Sequence, residues 1–385
     1  MRIQIITSSY PSHHADATSA AGLFIRDFAL ELVRRGHSVI VITAGRKKSY
    51  QGDQGITIIP VSWLGGDREL ASLSFINPLN WLVTIHFLWN GCNKAAKITR
   101  QYGVERSLCM WIVPAGILGW WAKRKTKSPY DAWALGSDIW RIRKLPFGSW
   151  VLRKIILNAD HVYADGLRLQ SDVQSISPKV CQFLPSSRRL PQPVPNLAPL
   201  EPSDCIHFLF VGRYHSNKGP DILIDAAAKL PPPLLEKTRF HMFGYGVLRD
   251  ELHSKVRRHR LNRYVLVREV IEAQELSNYL SRCDYVVIPS RVESVPVALS
   301  DAAQISVPLI VSDAGDMGDL VRDYNAGFVF RKGNSTELAE KLMEAVRSDP
   351  SIFHRGVRSL STKFDISETC GSWLNDIGLI NTKLV

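Results

Sequence analysis

Residues 286–330, VVIPSRVESVPVALSDAAQISVPLIVSDAGDMGDLVRDYNAGFVF, restrict this chain more than any other stretch. An apolar run, Tyr285 to Ile288, leads in, of the kind a strand buried on both faces needs. Ser290 to Ser294 is polar and reads as a loop. Pro296 takes the place of a first helical residue, where no amide hydrogen bond is lost. Ala298, Leu299, Ala302 and Ala303 then recur at helical spacing, and Pro308 to Val311 is a second buried strand. Strand, helix and strand form one parallel unit, and open parallel sheets take ligands at the carboxyl ends of their strands. Glu293, in the loop, and Asp301, early in the helix, therefore fall on the ligand side.

A second unit of the same kind starts at Ile206 to Gly212 and continues GRYHSNKGPDILIDAAAKL. The strand end delivers Arg213, the loop delivers Lys218, and Pro220 and Asp221 begin a helix whose amide end attracts anions. Two cations so placed can offset the charge that builds on a leaving diphosphate. Upstream, residues 185–202 hold six prolines, a density that neither a helix nor a central strand tolerates, so this stretch reads as an interdomain linker. The implied division is a first domain over 1–184, a linker over 185–204, a second domain over 205–360 and a closing helix over 361–385.

The first domain opens with a strand at Ile3 to Ile6, a polar loop from Thr7 to Ala21 ending at Gly22, a helix with two apolar rows, and a strand at Val39 to Thr43. No G-x-G-x-x-G follows the first strand, which argues against a nicotinamide or flavin site. The six cysteines are scattered without a C-x-x-C pair, which fits a reducing compartment and no zinc. Neither a leader nor an apolar span of membrane length is expected.

Charge is uneven. Residues 1–190 hold 25 Lys and Arg against 12 Asp and Glu, whereas 191–385 hold 23 against 24. Nine of the ten tryptophans lie between Trp63 and Trp150. Such asymmetry points the first half at an anionic partner. Residues 75–102 start apolar and aromatic and end basic, and Trp120 and Trp121 run directly into Lys123, Arg124, Lys125 and Lys127. Rings beside cations suit a lipid headgroup region, so these six residues are expected to form a membrane or acceptor face. Core tryptophans beneath a solvated basic face would give the same text. Nucleic acid is not expected, because the aromatics cluster with aliphatics and no nucleic-acid motif is present.

Several segments together resemble family-4 glycosyltransferases with the GT-B fold. They are Glu293, seven residues and Asp301 before VPLIVSDAGDMGDLV; Gly212-Arg213, four residues and Lys218-Gly219; RRGHSVIVIT; MWIVPAGILGWWA; WALGSDIW; ADHVYADGLRL; and FHMFGYGVLRDEL. The resemblance implies an α/β chain of two Rossmann-like domains facing across a cleft, with a C-terminal helix returning to the first. It implies a retaining, metal-independent transferase using a nucleotide-sugar, UDP more than GDP, with no further cofactor. Arg213 and Lys218 would bind the diphosphate, and Glu293, with Ser294 and Val295, the sugar. Asp301 would bind the ribose, Gly22 would lie by the diphosphate, Gly244 and Gly246 by the nucleoside, and Val270 by the base. Asp138 would hold a substrate or loop group, or merely cap the next turn. The chain departs from the pattern twice: Leu135 stands where the family has His, and Asp301 where it usually has Glu. The acceptor implied is lipid-linked or a polysaccharide, at the cytoplasmic face of a membrane. Alternatives are a nucleotide-sugar epimerase of the same fold, a glycan- or lipid-binding protein without activity, and a soluble transferase for small molecules.

Overall fold

The computed structural model describes residues 1–11, 20–45, 50–51, 53–65 and 77–379, and the chain divides into two units. Unit 1 comprises Met1–Pro185 with Ile366–Val385, and unit 2 comprises Ser186–Asp365.

The strands of unit 1 are β1 (Arg2–Ile6), β2 (Ser38–Ala44), β3 (Tyr50–Gln51), β4 (Thr57–Val61), β5 (Arg106–Met110), β6 (Tyr130–Ala134), β7 (Val162–Ala164) and β8 (Gln182–Phe183). Between them run α1 (Ala20–Arg34), α2 (Pro78–Tyr102), α3 (Ala115–Thr126), α4 (Ser137–Trp140), α5 (Gly148–Asn158) and α6 (Leu167–Ile176). The sheet order is β3-β4-β2-β1-β5-β6-β7-β8, parallel except at β3. Strands β1, β2 and β5 are buried almost end to end, as strands covered on both faces are.

Unit 2 contains β9 (Ile206–Val211), α7 (Pro220–Ala227), α8 (Pro232–Glu236), β10 (Thr238–Phe243), α9 (Arg249–Arg258), β11 (Val265–Arg268), α10 (Ala273–Leu280) and β12 (Tyr285–Ile288). It continues with α11 (Val297–Gln304), β13 (Leu309–Ser312), α12 (Met317–Asp323), β14 (Gly327–Phe330), α13 (Ser335–Arg347) and α14 (His354–Ser361). Its sheet is wholly parallel, in the order β11-β10-β9-β12-β13-β14. The order reverses between β9 and β12, and such a switch point opens a crevice at the strand ends.

The last helix, α15 (Ile366–Asp376), belongs to unit 1. Buried Trp373 meets the Phe28 ring at 5.9 Å and donates from Nε1 to Asp131 Oδ2 at 3.1 Å. Asp131 also faces His161 Nδ1 at 3.1 Å and accepts from Arg106 Nε at 2.7 Å, and these two side chains hold its carboxyl below the usual range against the penalty of burial. Arg35 donates to the Ser367 carbonyl and hydroxyl, and Ser367 donates to Glu31.

The proline-rich stretch read as a linker packs on unit 2 instead of standing free. Pro191 O accepts from Ser277 Oγ at 2.6 Å, and the amides of Leu190 and Val194 donate to Gln304 and Asn278. Side chains of α10 and α11 satisfy a main chain that its prolines exclude from a ladder.

On adjacent strands of this sheet, His207 of β9 and His241 of β10 form a buried pair, Nδ1 to Nε2 at 3.0 Å. His207 Nε2 faces Pro202 O at 3.0 Å and must donate to it, so its Nδ1 accepts from His241. His241 Nδ1 is then left as a buried acceptor without a partner. Burial, then the charges of His207, Arg268, Arg239 and Arg282, push His241 down to about 4. The unfolded chain takes up this proton near pH 6.5, and the folded one refuses it until about pH 4. Stability is therefore lost as pH falls through that window, and the pair contributes about 2 kcal/mol of loss between pH 7 and 4.5. Urea denaturation of His241→Phe should show a pH dependence smaller by that amount, and an unchanged slope would refute the assignment.

Candidate functional site

Two loops meet at the β9/β12 switch point. The first follows β9: Gly212, Arg213, Tyr214, then a 3-10 turn over Ser216–Lys218 that ends at Gly219. Gly219 has φ 65°, and a Cβ there would stand 2.0 Å from Pro289 O, so only glycine fits. The second loop follows β12 and leads into α11. The amides of Arg291 and Val292 both donate to Asn217 O, at 2.7 and 3.3 Å. Arg291 also grips Asp221 with two bonds of 2.8 and 2.6 Å and donates to Ser216 O. This clamp locks the loops together and holds Asp221 below the ordinary carboxylate range.

Within the clamp, Lys218 Nζ forms an ion pair with Glu293 Oε2, which lies 3.4 Å from Ser290 Oγ. Arg213 is exposed at the rim, and its guanidinium makes no ion pair or side-chain hydrogen bond among the described residues. Ser294 is buried with its hydroxyl unpartnered, and Val295 is buried beside it. Arg213, Lys218, Glu293, Ser294 and Val295 are thus brought to one crevice. It offers one free cation, one cation paired to a carboxylate, and an orphaned hydroxyl, a set that suits a phosphate-bearing ligand with polar hydroxyls.

Other residues singled out in the sequence lie differently. Pro296 is extended (ψ 142°) and precedes α11 instead of opening it. Asp301, expected at a ribose, is buried and taken by Arg188, with Nε–Oδ1 at 2.9 Å and Nη2–Oδ2 at 2.6 Å. No local signal marks Arg188 as its partner, because the two are far apart in the chain. Gly244 and Gly246 serve the protein's own backbone first. A Cβ on Gly244 would stand 1.9 Å from Gly212 O, and one on Gly246, 2.5 Å from Tyr214 O. Tyr214 closes this corner, donating its amide to Tyr245 O and its hydroxyl toward Met242 O and Arg268 O. Its buried ring could have been suspected from its place directly after Arg213. Val270 lies half-buried just past β11, the edge strand.

In unit 1, Gly22 is buried inside the first turns of α1, because the helix begins at Ala20 and not after the glycine. The rest of the preceding loop, 12–19, lies outside the described residues. Asp138 is buried and braces two strand ends: it accepts from the Ile112 amide at 2.6 Å and the Leu135 amide at 3.1 Å. Burial pushes it up to about 6, although those amides pull the other way. Both oxygens are engaged by main-chain amides.

Trp120 and Trp121 are half-buried and already covered by their own cations, Arg124 at 5.4 Å and Lys125 at 4.9 Å from the rings. Lys123 is spent on Asp160 at 2.8 Å, while Lys127 is exposed. These rings do not form the free aromatic face expected of them: Trp120 packs against the core of unit 1, and both rings are capped by cations. No cluster of three metal-binding side chains occurs among the described residues.

Residues 198–354 match the family model described as glycosyl transferases group 1. An uncharacterized glycosyltransferase of Methanocaldococcus jannaschii is 23% identical over 267 residues, 69% of this chain and 72% of that one. Other glycosyltransferase relatives align over 35% to 56% of their own length. Among solved structures, the sucrose-phosphate synthase of Thermosynechococcus elongatus superposes with a TM-score of 0.77 at 17% identity, over 98% of this chain and 99% of that one. Anabaena HepE in complex with UDP gives 0.71 at 17% identity, over 99% and 100%. At these identities the likeness establishes the GT-B fold.

Proposed function

We propose that this GT-B protein, a glycosyltransferase of the group 1 type, moves a hexosyl group from a nucleotide-sugar to a lipid-linked or polysaccharide acceptor with retention at the anomeric carbon. The observation that carries the reading is the Lys218–Glu293 ion pair beside free Arg213 at the β9/β12 switch point. A diphosphate entering the crevice meets two cations, as a leaving group needs. Lys218 turns from Glu293 to the phosphates, and Glu293 is released to accept from sugar hydroxyls. Buried Ser294 supplies a further hydroxyl next to them. The acceptor oxygen bonds to the anomeric carbon on the face the nucleotide leaves, the carbon–oxygen bond to the diphosphate breaks, and the hydroxyl proton departs with the phosphate. Charge compensation by side chains makes a metal unnecessary for this step. UDP is the favoured carrier, in keeping with the UDP-bound relative of the same fold. Family 4 is the group within which these motifs fit, and synthesis of envelope polysaccharide or lipopolysaccharide at the cytoplasmic face of a membrane is the role proposed. Paired to Arg188, Asp301 supports α11 in this scheme and reaches the ribose only if that pair opens.

Calorimetric titration with UDP, GDP and ADP tests the reading. One nucleotide should bind, and Arg213→Ala should weaken it by about 1.5–3 kcal/mol, the worth of a charge-assisted contact. Binding of none would overturn the donor site. Conversion of a UDP-sugar alone into an isomer would favour an epimerase, and binding without turnover on any glycan acceptor a binding protein.

A further inference from the structure

One helix of unit 1 gathers five large exposed apolar side chains at one end, more than any other element of that unit. In α2, Leu79, Leu82, Ile85 and Trp89 are 64%, 61%, 58% and 70% exposed, with Trp81 beside them at 41%. They recur every three or four residues and share a face. From Asn77 to Asn93 the sequence contains no Asp, Glu, Lys or Arg. Beyond that point the same exposed face turns polar and basic, through Asn93, Lys97 and Arg100. Helix α3 runs alongside in the same direction: Cys92 Sγ lies 4.0 Å from Ile117 O, and Arg100 Nη2 donates to Lys125 O at 2.9 Å. The exposed Arg124, Lys125 and Lys127 of α3 therefore join the basic end of α2.

We propose that this face of α2 docks unit 1 on an anionic lipid bilayer. The helix lies along the surface. Its first three turns sink their aliphatic and Trp side chains among the acyl chains, and the shared basic end of α2 and α3 meets lipid phosphates. Charge complementarity selects a bilayer over a protein partner. The stretch that carries the apolar patch, Asn77 to Asn93, brings no charged side chain of its own, and the first 190 residues carry 25 cationic against 12 anionic side chains. The helix does not cross the membrane, since none of the described helices is long and apolar enough. The proposal rests on the reading of a lipid-linked or surface-bound acceptor, and it moves the contact from the Trp120–Trp121 pair to α2.

Flotation of the full chain with vesicles of equal parts phosphatidylcholine and phosphatidylglycerol, at low salt, tests it. The wild type should float. Leu82→Glu with Ile85→Glu should lower the bound fraction at least tenfold, and Lys97→Glu with Arg100→Glu severalfold. All these side chains are exposed, and unchanged circular dichroism and thermal midpoint would confirm that the variants fold. Wild type that stays soluble overturns the proposal, as does equal binding to phosphatidylcholine alone. A dimer in lipid-free sizing that Leu82→Glu with Ile85→Glu converts to monomer, without any flotation, overturns it in favour of a second copy. UDP titration of the same variants separates this outcome from failure of the donor site: nucleotide affinity should be unchanged, because the residues named for the β9/β12 crevice all belong to unit 2 and α2 to unit 1.

Discussion

Replacing Lys218 by Ala should slow sugar transfer by about 100- to 1000-fold, the cost of removing one preorganised charge from a leaving group. It should also weaken UDP binding. Glu293→Gln should separate the two quantities. Without a nucleotide, Glu293 already holds the Lys218 ammonium. A diphosphate competes with that carboxylate, so its neutral replacement should bind UDP more tightly, by about 1 kcal/mol for a part-exposed pair. Turnover should nonetheless fall, because the sugar loses its acceptor. Opposite signs for UDP affinity in two partners of one ion pair are hard to obtain by indirect damage. Calorimetry of both variants with UDP, together with release of UDP from the nucleotide-sugar, measures them. Weaker UDP binding in Glu293→Gln would mean that the carboxylate supports the phosphate site instead of restraining it.

The second large effect is structural. Trp373→Ala should destabilise unit 1 by about 3–5 kcal/mol, because a fully buried ring is lost from contact with Phe28 and leaves a cavity. Trp373→Phe keeps most of the volume and removes only the donor to Asp131. It should cost about 1.5–3 kcal/mol, the range for a hydrogen bond to a charged group. Guanidinium denaturation of the two variants checks this. A loss below about 1 kcal/mol in the alanine variant would show that α15 does not hold unit 1 together.

The outline of both units is legible because each element carries its own local signal. Buried parallel strands such as 39–42 and 285–288 read as apolar runs, and α11 reads from Ala298, Leu299, Ala302 and Ala303 at helical spacing. The crevice is legible for a related reason. Arg213, Lys218 and Glu293 each sit in the loop that follows a strand, and in a parallel sheet the strand end fixes on which side the loop emerges. Errors at the elements are small ones of boundary, such as Pro296 lying just before its helix and Gly22 just inside its own.

What escaped were pairings across long chain separations. Asp301 looks available from its neighbours in sequence, yet Arg188 neutralises it from 113 residues away. Asp138 carries an ordinary acid's letter, but its depth beneath β5 and β6 makes it a brace with a raised pKa. The tryptophans at 120 and 121 suggest an exposed belt, whereas both are half-buried, Trp120 against the core of unit 1, and the more exposed apolar face is on α2. The sequence by itself determined which segments become strands and helices, and which charges arrive at strand ends, because both follow from local periodicity and chain direction. Only the tertiary structure decided which of those charges stay free, since burial and long-range partners set the cost of an unpaired group.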